Sequence, residues 1–80
     1  MKITSSKELG EMIRNRRKSL GYTQRYLADY TGFSASFISN LENGKDTAEL
    51  GKALFLINLL GMDIEVKGRG AGHEKTERMD

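Results

Sequence analysis

The sequence contains no cysteine. That excludes a disulfide framework and a thiolate zinc site, and it gives no reason to invoke an oxidising compartment. Histidine occurs once, at His73, without a second ligand or an orienting partner, so neither a metal site nor a catalytic role is expected there. No nucleophile–base pair can be assembled from the other residues, and no enzymatic activity or cofactor is expected. Long apolar runs are also missing. Met1-Lys2-Ile3-Thr4-Ser5 does not read as a signal peptide. The longest apolar run, Ala53 to Leu60, is interrupted by Asn58 and is far too short to span a bilayer. A soluble, cytoplasmic chain with no membrane partner is expected. There are no internal repeats. Gly68-x-Gly70-x-Gly72 lacks both the strand-to-helix context and the Gly-Lys-Ser/Thr of a phosphate-binding loop.

What is present fits one small domain. Eighty residues support only a marginal core, so help from dimerisation is unsurprising. The net charge is +2, unevenly spread. Up to Lys45 there are 8 basic and 4 acidic residues, a local +4; from Asp46 onward there are 5 and 7, a local −2. Arg14, Arg16, Arg17, Lys18 and Arg25 lie in a stretch without an acid. By itself such a run is most often a solvated helix face. Its place beside the motif described next favours a phosphate backbone.

The motif runs from Thr23 to Gly44. Thr23 can cap a helix N-terminus through its hydroxyl, Leu27 and Ala28 supply an apolar face, and Gly32 can take the left-handed conformation that ends a helix. Phe33 follows as an apolar plug, Ser34 is a second cap, Ile38 and Leu41 continue at helical spacing, and Asn43-Gly44 closes the element. Two short helices joined by a tight Gly-containing turn are the sequence form of a helix-turn-helix, whose second helix enters the major groove.

Taken in order, Ser5-Ser6-Lys7-Glu8 fits a capping box, and Leu9, Met12, Ile13 and Leu20 recur at helical spacing. The first helix is therefore expected from about Ser6 to Leu20, with Gly21 ending it. The second is expected over about Gln24–Thr31 and the third over about Ala35–Asn43. Ile38 and Leu41 point inward on the third helix, leaving Ala35, Ser36, Ser39, Asn40 and Asn43 outside, small or polar and uncharged. Serine and asparagine are poor helix formers, so their crowding suggests a use for hydroxyls and amides. Asparagine bonds adenine edges, serine bonds several bases, and alanine packs on thymine methyls. Phe37 either faces base methyls and sugars or seals the contact between the second and third helices. Tyr26 and Tyr30, four apart, either pack together on the surface or belong to a protein-contact or phosphate-contact surface.

A fourth helix is expected after a capping box at Asp46-Thr47-Ala48-Glu49, with Gly61 as its stop. Its core stripe reads Leu50, Ala53, Leu54, Ile57 and Leu60, with Leu56 flanking. Phe55 and Leu59 fall on roughly the opposite side, where a domain this small has no second layer to cover them. Met62, Ile64 and Val66 then alternate with Asp63, Glu65 and Lys67, the period of a strand. A lone strand needs a mate. A second copy of itself across a two-fold axis supplies one; a frayed extension is the other reading. Residues 68–80 have the composition of a disordered tail.

These residues carry a resemblance to a known family. Leu20-Gly21-Tyr22-Thr23-Gln24, Leu27-Ala28, Thr31-Gly32-Phe33-Ser34, Ile38-Ser39 and Leu41-Glu42-Asn43-Gly44 resemble the Cro/cI-type (XRE) repressors over roughly Leu9 to Gly61. The resemblance implies an all-α, lambda-repressor-like helix-turn-helix domain of four helices spanning residues 1–67, with a short C-terminal β-strand paired across a dimer. It implies an Arg17–Glu42 pair locking the first helix to the third, and Gln24 on a phosphate. The expected double-stranded DNA contacts, on a palindromic operator, are Thr23, Gln24, Ser34, Ala35, Ser36, Phe37, Ser39, Asn40, Asn43 and Lys45, with Arg14 and Arg16 on the backbone. Phe55, Leu59, Met62, Ile64 and Val66 are the expected homodimer contacts. Tyr26 and Tyr30 depart from the family pattern, where charged residues are common. The Ser-Lys-Glu-Leu entry, Ile38-Ser39-Asn40, Glu42-Asn43 and Met62-Asp63-Ile64-Glu65-Val66 are closest to HipB-type antitoxins. Those bind a HipA-like kinase toxin and repress their own operon. The alternative is a stand-alone Cro/cI-type regulator. In the antitoxin reading the tail is a toxin contact or a proteolysis handle.

Overall fold

The computed structural model describes residues 2–70. Four helices follow one another: α1 (Ser6–Ser19), α2 (Gln24–Thr31), α3 (Ala35–Glu42) and α4 (Leu50–Leu59). Local chemistry accounts for the first three starts. The hydroxyls of Ser5, Thr23 and Ser34 accept from the backbone N–H groups of Glu8, Tyr26 and Phe37 at 3.1, 2.9 and 3.0 Å, each filling one of the vacancies of a helix N-terminus. The return half of the first capping box is displaced by one residue. The Glu8 carboxylate accepts from Thr4 N–H at 2.6 Å and from the Thr4 hydroxyl at 2.9 Å. These bonds, the backbone one foremost, hold its pKa below the usual carboxylate value. Their stabilisation is present above the ordinary glutamate range and is lost as pH falls through the depressed value. Gly32 ends α2 with φ +79°, its N–H on Ala28 O.

All four helices meet in one core of Ile13, Leu27, Ile38, Leu41, Ala53, Leu56, Ile57 and Leu60. Burying each large side chain contributes about 1.5–3 kcal/mol. The third helix is central, packing on both α1 and α2. It comes close to α1 at Gly10, buried against the C-terminal end of α3: a Cβ there would lie 2.4 Å from Leu41 O and 2.6 Å from Glu42 O.

Several sequence expectations need correcting. The fourth helix does not start from an Asp46 capping box. Residues 46–48 form turns, Glu49 occupies the cap position without a side-chain bond, and the Asp46 carboxylate accepts instead from the Ser6 hydroxyl of α1. The core stripe of α4 is Ala53, Leu56, Ile57 and Leu60, whereas Leu50 and Leu54 are exposed. A helix apolar nearly all round offers two equally good i, i+3, i+4 stripes, and only packing chooses between them. Leu20 is the C-cap of α1 and exposed, not part of its inward face. Asn43 likewise caps α3 rather than extending it.

Among the described residues there is no strand. After Gly61 the chain runs on with Met62 packed against the core and with Ile64 and Val66 exposed. Of the expected tail, residues 71–80, including Gly72 and His73, lie outside the described residues. Among the described residues no helix is long and apolar enough to cross a membrane.

Candidate nucleic-acid interface

The outer side of α3 presents Ala35, Ser36 and Asn40 to solvent, with Ser34 before it and Asn43 and Lys45 after it; Ser39 is half-buried. No charge interrupts this surface between Ser34 and Asn40. Ser34, Ser36, Phe37 and Asn40 form one wall of a shallow, open concavity of about 220 Å³, and Lys45, Thr47, Ala48 and Glu49 form the other. Thr47 had no signal in the sequence. It enters because the 45–48 turn folds back beside α3, with Lys45 N–H on Asn40 O at 3.0 Å and Ala48 N–H on Lys45 O at 3.3 Å. The hydroxyls of Thr23 and Ser34 are committed as helix caps, although each oxygen can still donate its own proton.

Phe37 packs in part against the core. It is half-buried and meets Phe33 edge-on, with centroids 5.6 Å apart, and Phe33 meets Phe55 of α4 in the same way at 5.8 Å. Lys52 Nζ lies 5.5 and 5.6 Å from the Phe33 and Phe37 centroids, within cation–π range. The aromatic ring of α3 is thus braced from α4.

Behind this face lies one buried polar network. Arg17 donates from Nε to Glu42 Oε2 at 2.6 Å, from Nη2 to Oε1 at 2.8 Å, and from Nη1 to the Tyr22 carbonyl at 2.9 Å. The side chains are 8% and 1% exposed. The bidentate pair expected from the resemblance is therefore formed. Its hydrogen bonds to Glu42 raise the Arg17 pKa further above the ordinary arginine value, against the opposing effect of burial, so the guanidinium stays charged at any working pH. Gln24 adds a contact the sequence did not indicate: its Nε2 donates to Glu42 Oε1 at 3.0 Å. One carboxylate at the C-terminal end of α3 thereby gathers α1, α2 and the turn between them. Glu42 sits where the helix dipole disfavours an anion, and the arginine offsets this.

The basic residues separate into different roles. Arg14 is exposed on α1 and Lys45 beside α3. Arg25 pairs loosely with Asp29 at 3.7 Å on the open surface of α2, an arrangement worth little. Arg16 is partly buried, its Nε donating to Leu60 O at 2.8 Å. The tyrosine pair expected on α2 is a row of three: Tyr22 stacks on Tyr26 at 5.1 Å and Tyr26 on Tyr30 at 6.2 Å, all exposed.

Comparison with known proteins gives a consistent picture. The family model described as helix-turn-helix matches residues 13–67. An uncharacterized HTH-type transcriptional regulator of Sinorhizobium fredii, y4mF, is 35% identical over 69 residues, 86% of this chain and 91% of that protein. The competence pilus inhibition repressor of Acinetobacter baylyi is 51% identical over 37 residues, 46% of this chain and 34% of that one. Among solved structures, a chain of the HipB-O4 20mer complex and one of the HipA-HipB-O2-O3 complex each superpose with a TM-score of 0.77 at 27% identity. Each alignment covers 88% of this chain and 99% of the matched one.

Proposed function

The chain belongs to the helix-turn-helix family of DNA-binding transcriptional regulators, of the Cro/cI (XRE) type, and on that premise we propose that it is a repressor reading a palindromic operator as a homodimer. The observation that carries this reading is the uncharged, small and polar outer face of α3 on a helix held rigidly by a buried ion pair. Ser36 and Asn40 offer bonds to base edges, and Ala35 offers a surface for a thymine methyl. Arg14, Lys45 and the N-terminus of α2 at Gln24, whose amide keeps one further donor, serve phosphates. Helix α4 leaves Phe55 and Leu59 exposed, and together with residues 62–66 they are the natural contact of a second copy. The two reading helices then lie about one DNA turn (roughly 34 Å) apart.

The partner of the repressor is a HipA-like kinase toxin, which makes the chain a HipB-like antitoxin that controls its own operon. Support comes from the likeness to HipB in the HipA-HipB-O2-O3 complex across nearly the whole of that chain. A stand-alone repressor is the second reading, favoured by the 51% identity to the competence pilus repressor across part of the domain. A pull-down of the tagged chain from its native cells, with nuclease present, separates them. A stoichiometric kinase-like protein supports the antitoxin. Recovery of the chain alone, where a neighbouring kinase gene is expressed, supports the solitary repressor.

Base reading has its own test. An operator is first selected from a randomised duplex library. Asn40→Ala and Ser36→Ala are each expected to flatten the preference at a defined base pair by about 1–3 kcal/mol, while the salt slope of binding stays the same. Unaltered preference in both variants would remove α3 as the reader.

A further inference from the structure

We propose that Arg16 is a positioning residue for the C-terminal arm: it clamps the corner at which the chain leaves α4 and so sets the course of residues 62–66. The proposal rests on the dimer reading above for its purpose, and on the following geometry for its existence. The last carbonyls of a helix have no partner within the helix. At the end of α4 the Leu60 carbonyl receives Arg16 Nε at 2.8 Å across 44 residues of sequence. Among the described residues no carboxylate pairs with Arg16, in contrast to Arg17 one residue later, so the carbonyl is the group this guanidinium answers. A cation is also the favoured charge at a helix C-terminus.

The corner itself is built to receive it. Gly61 turns the chain with φ +77°, a conformation costly for any residue with a Cβ. A Cβ at Gly61 would also lie only 3.0 Å from Arg16 Nη2, so the guanidinium lies directly against the glycine. Gly61 N–H bonds Asn58 O at 3.0 Å, Met62 N–H bonds Ile57 O at 3.1 Å, and the Met62 side chain packs on the core. Beyond Met62 the arm starts beside α4, where Asp63 and Ile64 line a shallow concavity with Leu54, Ile57 and Asn58, while Val66 faces solvent. The direction in which the arm sets out is therefore fixed at this corner. Two such arms can pair in one register only if both leave their helices alike, because a slip of one residue turns every side chain to the wrong face. An arm already aimed loses less freedom on pairing.

The test uses the full chain and three variants: Arg16→Met, which keeps the aliphatic stem and removes the donors, Arg16→Lys, and Arg14→Ala as a phosphate-contact comparison. Amide hydrogen exchange, sedimentation equilibrium and the salt dependence of binding to a single half-site are measured. Arg16→Met is expected to speed exchange at Gly61 and Met62 by about tenfold or more while leaving Ile13 and Ile38 unchanged. It is also expected to raise the dimer dissociation constant by a similar factor and to leave the half-site salt slope intact. Arg16→Lys should recover part of both losses, since an ammonium can still donate to the Leu60 carbonyl. Arg14→Ala should reverse the pattern, lowering the half-site slope by about one with the dimer constant unmoved. Unchanged exchange at Gly61 and Met62 in Arg16→Met would overturn the clamp. So would a half-site slope reduced by about one with an unmoved dimer constant, which would make Arg16 a phosphate contact. A wild-type chain that stays monomeric at every concentration would overturn the dimer reading instead, while the exchange at the corner still decides whether the clamp exists.

Discussion

Replacing Glu42 with alanine is expected to destabilise the domain by about 3–5 kcal/mol, read as a lower urea midpoint at unchanged slope. The size follows from what the substitution leaves behind. Arg17 has three donors committed inside the protein, two of them to Glu42, and Gln24 has one. Removing the carboxylate strands a guanidinium that is 8% exposed, and an arginine side chain keeps its proton even without a partner. A small domain has only about 5–15 kcal/mol in hand, so the variant should be close to the limit of folding at 37 °C. The pair itself is a different quantity. Substituting both partners with apolar residues of similar volume, Arg17→Met with Glu42→Leu, is expected to recover most of the loss, since charges taken out of water cost nearly what their attraction returns. The sign with pH is equally definite. Arg17 has its folded pKa raised, so its contribution is complete at every pH below the ordinary arginine value and fades only above it. A loss below about 1 kcal/mol for Glu42→Ala would mean that solvent reaches the pair.

Two helical glycines should respond to alanine with opposite signs. Gly10 lies in the interior of α1, where alanine is intrinsically better by about 0.8–1 kcal/mol. Its Cβ, however, would meet Leu41 O at 2.4 Å, Glu42 O at 2.6 Å and Glu42 C at 2.9 Å. These are backbone atoms of α3 and cannot swing aside as a side-chain end can. Opening the α1–α3 contact far enough to admit a methyl group also pulls on the Arg17–Glu42 bonds, which cross the same interface. Overpacking of this kind costs about 1–3 kcal/mol and occasionally more, so the clash outweighs the propensity gain, and a net loss of about 2 kcal/mol is expected. Gly51 in α4 has no atom within 4 Å of its Cβ position and no positive φ. There alanine should stabilise by about 0.5–1 kcal/mol. Thermal melts of both variants at one protein concentration check the pair. A Gly10→Ala variant as stable as the wild type would show that α1 and α3 can part without cost.

The sequence by itself determined what depends on neighbours a few residues away. Ser5, Thr23 and Ser34 stop the chain from extending and start helices, because each hydroxyl reaches an N–H three residues on. Gly32 makes the turn because a residue without Cβ adopts positive φ at no cost. With Ile13, Leu27, Ile38 and Leu41 at helical spacing, these signals were enough for the helix-turn-helix and for the family. The resemblance supplied the Arg17–Glu42 pair, which no local rule connects across 25 residues.

Tertiary structure decided what depends on which of two equivalent local choices packs. Helix α4 presents two apolar stripes of the same period. Docking selected Leu56 for the core and left Leu50 and Leu54 outside. Gly10 reads as a mildly unfavourable helix residue until α3 is laid across it. Arg16, Arg17 and Lys18 are one basic run on paper, yet one residue of the three binds a buried carboxylate and its neighbour binds the end of another helix. Adjacent residues on a helix point about 100° apart, so each met a different element of the fold. Gln24 was legible as a helix-start amide, but its bond to Glu42 required the carboxylate to be brought within 3.0 Å from another helix. Periodicity and capping act within a turn of helix and survive in the bare sequence. The assignment of long, flexible, charged side chains is settled only when the helices have closed on one another.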